Sequence, residues 1–322
     1  MYAERDESID MVKGLCILLV VFAHLPRVGT FSGMLESAVQ FVYSFHMPVF
    51  CIITGWLFGT KTLSWDNVIK VVDRMFKPYL VMSLVMMALS AFSELHGRDT
   101  TIAPIASPIE MLLRILGGAG GGVVWYLHTF GVAQLMALGA FWIIDRYYER
   151  KLLNDIMVAC VVCFACLALR HCGFMVKAFL VPYFMAGFIF RRHDMPFSSL
   201  TPSVAALVVM LIPRTYSQQN YLWGICVFSV LLAFARIVCK SKHTIKWGGG
   251  GVCFIGRHSL PIFIFHPIVS VALRPLSKYV LMAEPSGIAL DFFMVAAISA
   301  VCLSAEHVIK KTPLKLVIFP IR

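Results

Sequence analysis

The residues of this chain that could do chemistry sit inside long apolar runs. The first run reads Ile9-Asp10-Met11-Val12-Lys13-Gly14 and stays apolar until His24. Asp10 and Lys13, three positions apart, share a helix face and can pair. Lys13 and His24 are eleven apart, about three turns, so they share that face with a rise of roughly 16 Å. A cation at one mouth of a span and an imidazole deep in the membrane satisfy this spacing, and so do a snorkelling lysine and a histidine at the far interface. The second run carries Glu36, Gln40 and Ser44, then His46 and Met47-Pro48. The four-residue recurrence predicts a polar stripe facing the bundle interior or a wet cavity. Pro48 inside the span predicts freed backbone groups that neighbouring helices must satisfy. Further on, Arg74 and Lys77 fall on one helical face. A guanidinium fork beside an ammonium suits phosphate; a basic loop retained in the cytoplasm accounts for the same residues.

Two more segments carry histidine: Trp125-Tyr126-Leu127-His128, and Gly256-Arg257-His258-Ser259-Leu260 leading to Phe265-His266-Pro267. Trp125 and Tyr126 alone read as interfacial anchors. His128 and His266 are harder to explain that way, because ionisable groups within a membrane are costly and mark function. Glu306 and His307 are expected at an interface.

The elements that must position these residues are membrane helices. Of 322 residues, 59% are apolar and 14% charged, against roughly a quarter charged in a soluble domain, which excludes a soluble globule. The 25 Phe, 17 Met and 6 Trp exclude disorder. A net charge of +11 does not indicate nucleic acid, because the 28 Lys and Arg are scattered in short clusters between apolar runs. The ten Cys lie mostly within those runs and imply no disulfide framework. Cys163 and Cys166 form a CxxC with no second ligand pair at zinc spacing, so no metal site is expected.

At about 20 residues per crossing, ten spans are expected, centred on 9–25, 35–59, 76–95, 123–144, 152–169, 174–190, 200–213, 220–239, 252–273 and 287–309. Most cations fall on one side if both termini are cytoplasmic. The first run follows Asp6, Glu7 and Asp10 and lacks a small-residue cleavage site, so it reads as a retained helix rather than a signal peptide. The stretch Gly117 to Gly122 carries no nucleotide fingerprint and reads as a bend before the fourth span, as does Gly248 to Gly251 at the opposite face. The expected fold is an all-α transmembrane bundle.

Together these segments resemble the acyltransferase 3 family of bacterial inner-membrane acyltransferases. Lys13, ten intervening residues and His24 look like its opening motif, with Lys for the usual Arg. Phe45-His46-Met47-Pro48-Val49-Phe50 with Thr54-Gly55-Trp56 is similar to its FHMPxF and SG pattern. Arg74-x-x-Lys77-Pro78 resembles its RxxR, again with Lys for one Arg, and the segment from Ile255 to His266 resembles its closing G-x-x-S-L…H.

The resemblance implies one ten-helix acyltransferase domain over 1–322, multi-pass in the bacterial inner membrane, with no extra soluble domain and no permanently bound cofactor. Acetyl-CoA would be the co-substrate, and the acyl group, most often acetyl, would pass to a hydroxyl of an envelope glycan or glycolipid. The chain would act alone or with a separate extracytoplasmic partner, among membrane lipid and without nucleic acid. His24 would be the general base or a transient acyl carrier, since histidine titrates near neutral pH. Asp10 would orient Lys13, and Arg74 and Lys77 would grip the donor's phosphates. Glu36, His46, Trp125, His128 and His266 would line the passage or bind acceptor. A competing class is a transporter of a small solute or lipid-linked sugar, for which the same histidines and acids would relay protons.

Overall fold

A computed structural model describes residues 6–58, 63–95, 107–147, 152–193, 204, 207–208, 211, 217–240 and 250–321. Among these residues every regular element is helical. In chain order the helices are α1 (Glu7–Ala23), α2 (Ser32–Tyr43), α3 (His46–Phe58), α4 (Trp65–Val71), α5 (Lys77–Leu95), α6 (Pro108–Leu116), α7 (Trp125–Tyr147) and α8 (Leu152–His171). They continue as α9 (Val181–Arg192), α10 (Tyr221–Lys240), α11 (Gly250–Arg257), α12 (Ser259–Leu273), α13 (Ser277–Ala283), α14 (Ile288–Lys310) and α15 (Lys315–Ile318).

Seven segments among the described residues are long and apolar enough to cross a membrane: Ser32–Phe58, Trp65–Phe92, Gly122–Ile144, Leu152–His171, Tyr221–Lys240, Ser259–Ala283 and Ile288–Lys310. Phe164, Phe292 and Leu153 stand exposed on such helices, as lipid-facing side chains do. The chain is a multi-span membrane protein. Of the other expected spans, the first is the 17-residue α1 and the sixth is the 12-residue α9. The span at 200–213 lies largely outside the described residues, as do Lys61, Arg98, Arg150, Lys151, Arg214, Lys242, Lys246 and Gly248.

The chain divides into two compact units, Met1–Leu57 with Phe190–His307, and Phe58–Ile189 with Val308–Arg322. In the first, α1 packs along α11, and small residues permit the approach. A Cβ on Gly256 would overlap the Asp10 carbonyl oxygen, and one on Gly14 would overlap that of Val252. Asp6 caps α1 by accepting from the Ser8 N–H at 2.9 Å. Asp10, 4% exposed, lies 3.8 Å from Lys13 Nζ and 3.4 Å from Arg257 Nε, and Arg257 also reaches Glu7 at 3.0 Å. The expected Asp10–Lys13 pair therefore exists within a larger ion network that ties α1 to α11.

Three expectations change. The stripe of Glu36 and Gln40 faces outward: both are exposed, with Gln40 donating to Glu36 at 2.7 Å, while Leu35, Val39 and Val42 form the buried face of α2. Pro48 does not interrupt a helix, because the chain breaks at Ser44–Phe45 and α3 starts afresh at His46, which puts Pro48 in a first turn where its missing N–H is no loss. The break is held by Trp223, whose Nε1–H donates to Ser44 Oγ at 3.0 Å. Glu306 is buried rather than interfacial, 2.7 Å from His258 Nδ1.

In the second unit a π-helical turn, Val72–Phe76, joins α4 to α5. The glycine-rich stretch makes the expected bend, with positive φ at Gly118, Gly121 and Gly122. It also presses close to neighbouring side chains. A Cβ on Gly118 would strike the His128 ring, and one on Gly120 would strike Ser83.

Candidate functional site

Three histidines of the first unit are fixed by one local device. A helix that ends, or meets a proline, leaves carbonyl oxygens without donors. His24 follows the last residue of α1, and its Nδ1 lies 2.8 Å from Val20 O. His46 stands just past the end of α2, with Nδ1 2.7 Å from Val42 O, which also accepts the Phe45 N–H of the turn at 3.2 Å. In α12 Pro267 lacks the N–H that Phe263 O would receive, and His266 Nδ1 reaches that oxygen at 2.9 Å and Ile262 O at 3.0 Å. Since a carbonyl only accepts, each Nδ1 carries the proton and donates. Each neutral ring then holds its lone pair on Nε2.

Their rings lie in one chain. His24 and His266 meet edge to face with centroids 5.1 Å apart, Tyr43 stands 6.2 Å from His24, and His46 lies 5.2 Å from Tyr43. The Tyr43 hydroxyl donates to Ala23 O at 3.3 Å, so the end of α1 is tied to α2 through this chain. His46 and His266 are buried, whereas His24 is exposed. The spacing leaves His24 open between a deep imidazole and one at the far interface; it is the accessible member of the set, because α1 stops one residue before it.

Two residues overlooked in the sequence complete the site. Arg27 donates to the carbonyls of Ala23 at 2.8 Å and Phe22 at 3.2 Å and to that of Leu25, which satisfies the end of α1 and places a cation at its negative pole. Its Nε is 3.8 Å from Glu36, an ion-pair separation too long for a hydrogen bond. Asp291 lies in the first turn of α14 and is 4% exposed. The available signal was that of Asp10, an acid just inside an apolar run. A cavity of about 240 Å³ joins His24 and Asp291, with Ser270, Ser277 and Arg274 also in its lining. Beside it the loop between α13 and α14 is pinned, since Pro285 O and Ser286 O accept the N–H groups of Thr30 and Phe31 at 2.9 and 3.1 Å. Glu284, in that loop, is held below the usual carboxylate range by the Ser286 hydroxyl and by backbone N–H groups that it accepts from.

The structure therefore groups His24, His266, His46 and, through Arg27, Glu36. Asp10 and Lys13 stand at the opposite end of α1 and pair there. Arg74, Lys77, Trp125 and His128 belong to the second unit. Arg74 is exposed on the π turn, and Lys77 is paired with Asp73, which also accepts the Ile321 N–H. An open, mostly apolar groove of about 440 Å³ lies beside Asp73 and Lys77. His128 is buried, with Nε2 3.1 Å from Leu116 O and its ring 5.2 Å from that of Tyr79. Lys177 lies over the Trp125 ring at 5.9 Å. Among the described residues, no group of three His, Cys, Asp or Glu is arranged to hold a metal.

An accessible imidazole with a fixed tautomer, backed by a second histidine at the end of a membrane helix, is what base-assisted transfer to a hydroxyl requires. The chain matches the acyltransferase 3 family, described as an acyltransferase domain, over residues 6–305, and it belongs to that family. It is similar to the nodulation protein NolL of Sinorhizobium fredii, 25% identical over 193 residues, which cover 58% of this chain and 49% of the relative. It is also similar to the nodulation protein NolL of Mesorhizobium japonicum, 40% identical over 57 residues, which cover 16% of this chain and 15% of the relative. The matched regions thus span about half or less of these curated relatives. No solved structure matches the chain.

Proposed function

We propose that this protein is an O-acyltransferase of the bacterial inner membrane that moves an acyl group, acetyl above all, from acetyl-CoA to a hydroxyl of an envelope carbohydrate. The observation that carries the reading is the 2.8 Å contact of His24 Nδ1 with Val20 O: a carbonyl only accepts, so Nδ1–H is spent there and Nε2 carries the lone pair in this exposed residue, which lines the cavity. In the reaction Nε2 takes the acceptor's hydroxyl proton as its oxygen bonds to the thioester carbonyl carbon. The carbon–sulfur bond then breaks, and His24 passes the proton to the departing thiolate sulfur, which leaves as the CoA thiol and returns the imidazole to its starting form. Acetyl-CoA and alcohol become ester and CoA, with no other reactant. His266 sets the plane of the His24 ring by edge contact. For the donor we assign Arg74 and Lys77 to its phosphates.

The test is turnover of radiolabelled acetyl-CoA by membranes carrying the wild type or His24→Ala, with envelope glycans extracted and counted. Wild-type membranes should label glycan, and His24→Ala should lower labelling by a factor of about 100 or more at equal amounts of inserted protein. Full labelling by His24→Ala would remove the histidine from the mechanism. Failure of the wild type to consume any acyl-CoA would leave the transporter as the better reading.

A further inference from the structure

The cavity that His24 shares with Asp291 contains a carboxylate oxygen in an unusual state. Asp291 Oδ2 is buried and has no hydrogen-bond partner among the described residues. An unpaired buried carboxylate oxygen is expensive and is kept where something else completes it. Arg27 acts on Asp291 by its charge, yet its guanidinium NH2 groups are committed to the carbonyls at the end of α1. Among the described residues His266 Nε2, Arg27 Nε and Ser299 Oγ of the same unit are likewise buried without a hydrogen-bond partner. The first unit thus holds an orphaned acceptor in the cavity wall beside an accessible base.

The cavity restricts what can complete it. At about 240 Å³ it falls below the roughly 300–1,000 Å³ of sites for drug-sized ligands. Its wall sets Ser270, Ser277, whose hydroxyl donates to Arg274 O at 2.7 Å, and the Arg274 cation among the apolar Leu25, Pro26 and Met294. A single sugar ring presents the matching surface, hydroxyl donors around its edge and C–H groups on its faces.

We infer that this cavity is the subsite for the acceptor sugar ring and that Asp291 binds there by accepting the hydroxyl adjacent to the one presented to His24. This inference rests on the acyltransferase reading and names its substrate as a ring with two neighbouring hydroxyls, one acylated and one held. Donation to a carboxylate orients the ring and disfavours a ring lacking the second hydroxyl. Asp291 is a binding residue in this account; His24 alone takes the proton.

The full chain in membranes is assayed with radiolabelled acetyl-CoA and titrated with delipidated envelope glycan from the expressing strain. Asp291→Ala should raise KM for glycan about 10- to 100-fold with KM for acetyl-CoA at the wild-type value. Asp291→Asn, which keeps an acceptor oxygen and the side-chain shape, should raise it less. NMR of the wild-type product should place the acetyl group next to a carbon bearing a free hydroxyl. An unchanged KM for glycan in Asp291→Ala, parallel changes in both KM values, or acetyl on a carbon without a hydroxylated neighbour would each overturn the inference while the acyltransferase reading stands. Absence of transfer by the wild type would instead overturn that reading and this inference with it.

Discussion

Each site histidine has its Nδ1–H fixed by a backbone carbonyl nearby in sequence, and His24 is further held by edge contact with His266. The acceptor of Nδ1–H lies four residues back, at a helix end, for His24 and His46, and for His266 it is Phe263 O, freed by Pro267, together with Ile262 O. The proline can be removed without touching the imidazole. Pro267→Ala restores an N–H that competes for Phe263 O, so the hold on His266 and its support of His24 should weaken. A hydrogen bond with a net worth of about 1 kcal/mol corresponds to a change of about fivefold. Glycan labelling by Pro267→Ala should fall by about that factor at wild-type protein levels, and an unchanged rate would show that the carbonyl device does not matter to transfer. Of this arrangement, the intramembrane histidines were legible in the residues themselves. Their tautomers were not, because that assignment needs a helix end located to within one residue.

The site stands on α1, and α1 is set by its contact with α11. Two glycines permit the crossing, and the ion network of Glu7, Asp10, Lys13 and Arg257 closes its end. Gly256→Val introduces a side chain against the Asp10 carbonyl, where backbone cannot yield cheaply. A loss of about 2 kcal/mol or more is expected, read as a lower thermal midpoint of the detergent-solubilised protein, whereas Gly33→Ala, in open space, should leave the midpoint near the wild type. Equal midpoints for Gly256→Val and wild type would contradict the close crossing. Hydropathy marked the long helices well and misjudged their interruptions. The break at Ser44–Phe45 carries no glycine or proline of its own and is held by Trp223, far along the chain.

For the whole molecule, the distribution of Lys and Arg predicts cytoplasmic termini and hence an extracytoplasmic end for α1 at His24. Labelling decides this. In a background with the exposed Cys160 and Cys172 replaced by serine, Thr30→Cys in intact cells should react with a membrane-impermeant maleimide. Lys315→Cys should react only after permeabilisation. The reverse pattern would invert the topology and put the cavity in the cytoplasm.

The sequence by itself determined the class of protein. Composition left only a polytopic membrane protein, the spacing of Lys13, His24, Arg74 and the closing histidine segment carried the family resemblance, and His24 stood out as an imidazole at the end of an apolar run. Those are local properties, written in run length and residue spacing. Only the tertiary structure decided that His266 touches His24, that Arg27 closes the end of α1, that Glu306 is buried against His258, and that Asp291 shares a cavity with His24. Each of these depends on how a helix turns about its own axis against its neighbours. In a membrane, where lipid and protein interior are equally apolar, hydrophobic periodicity marks that rotation only weakly, so a buried acid and an outward one look alike until the helices are packed.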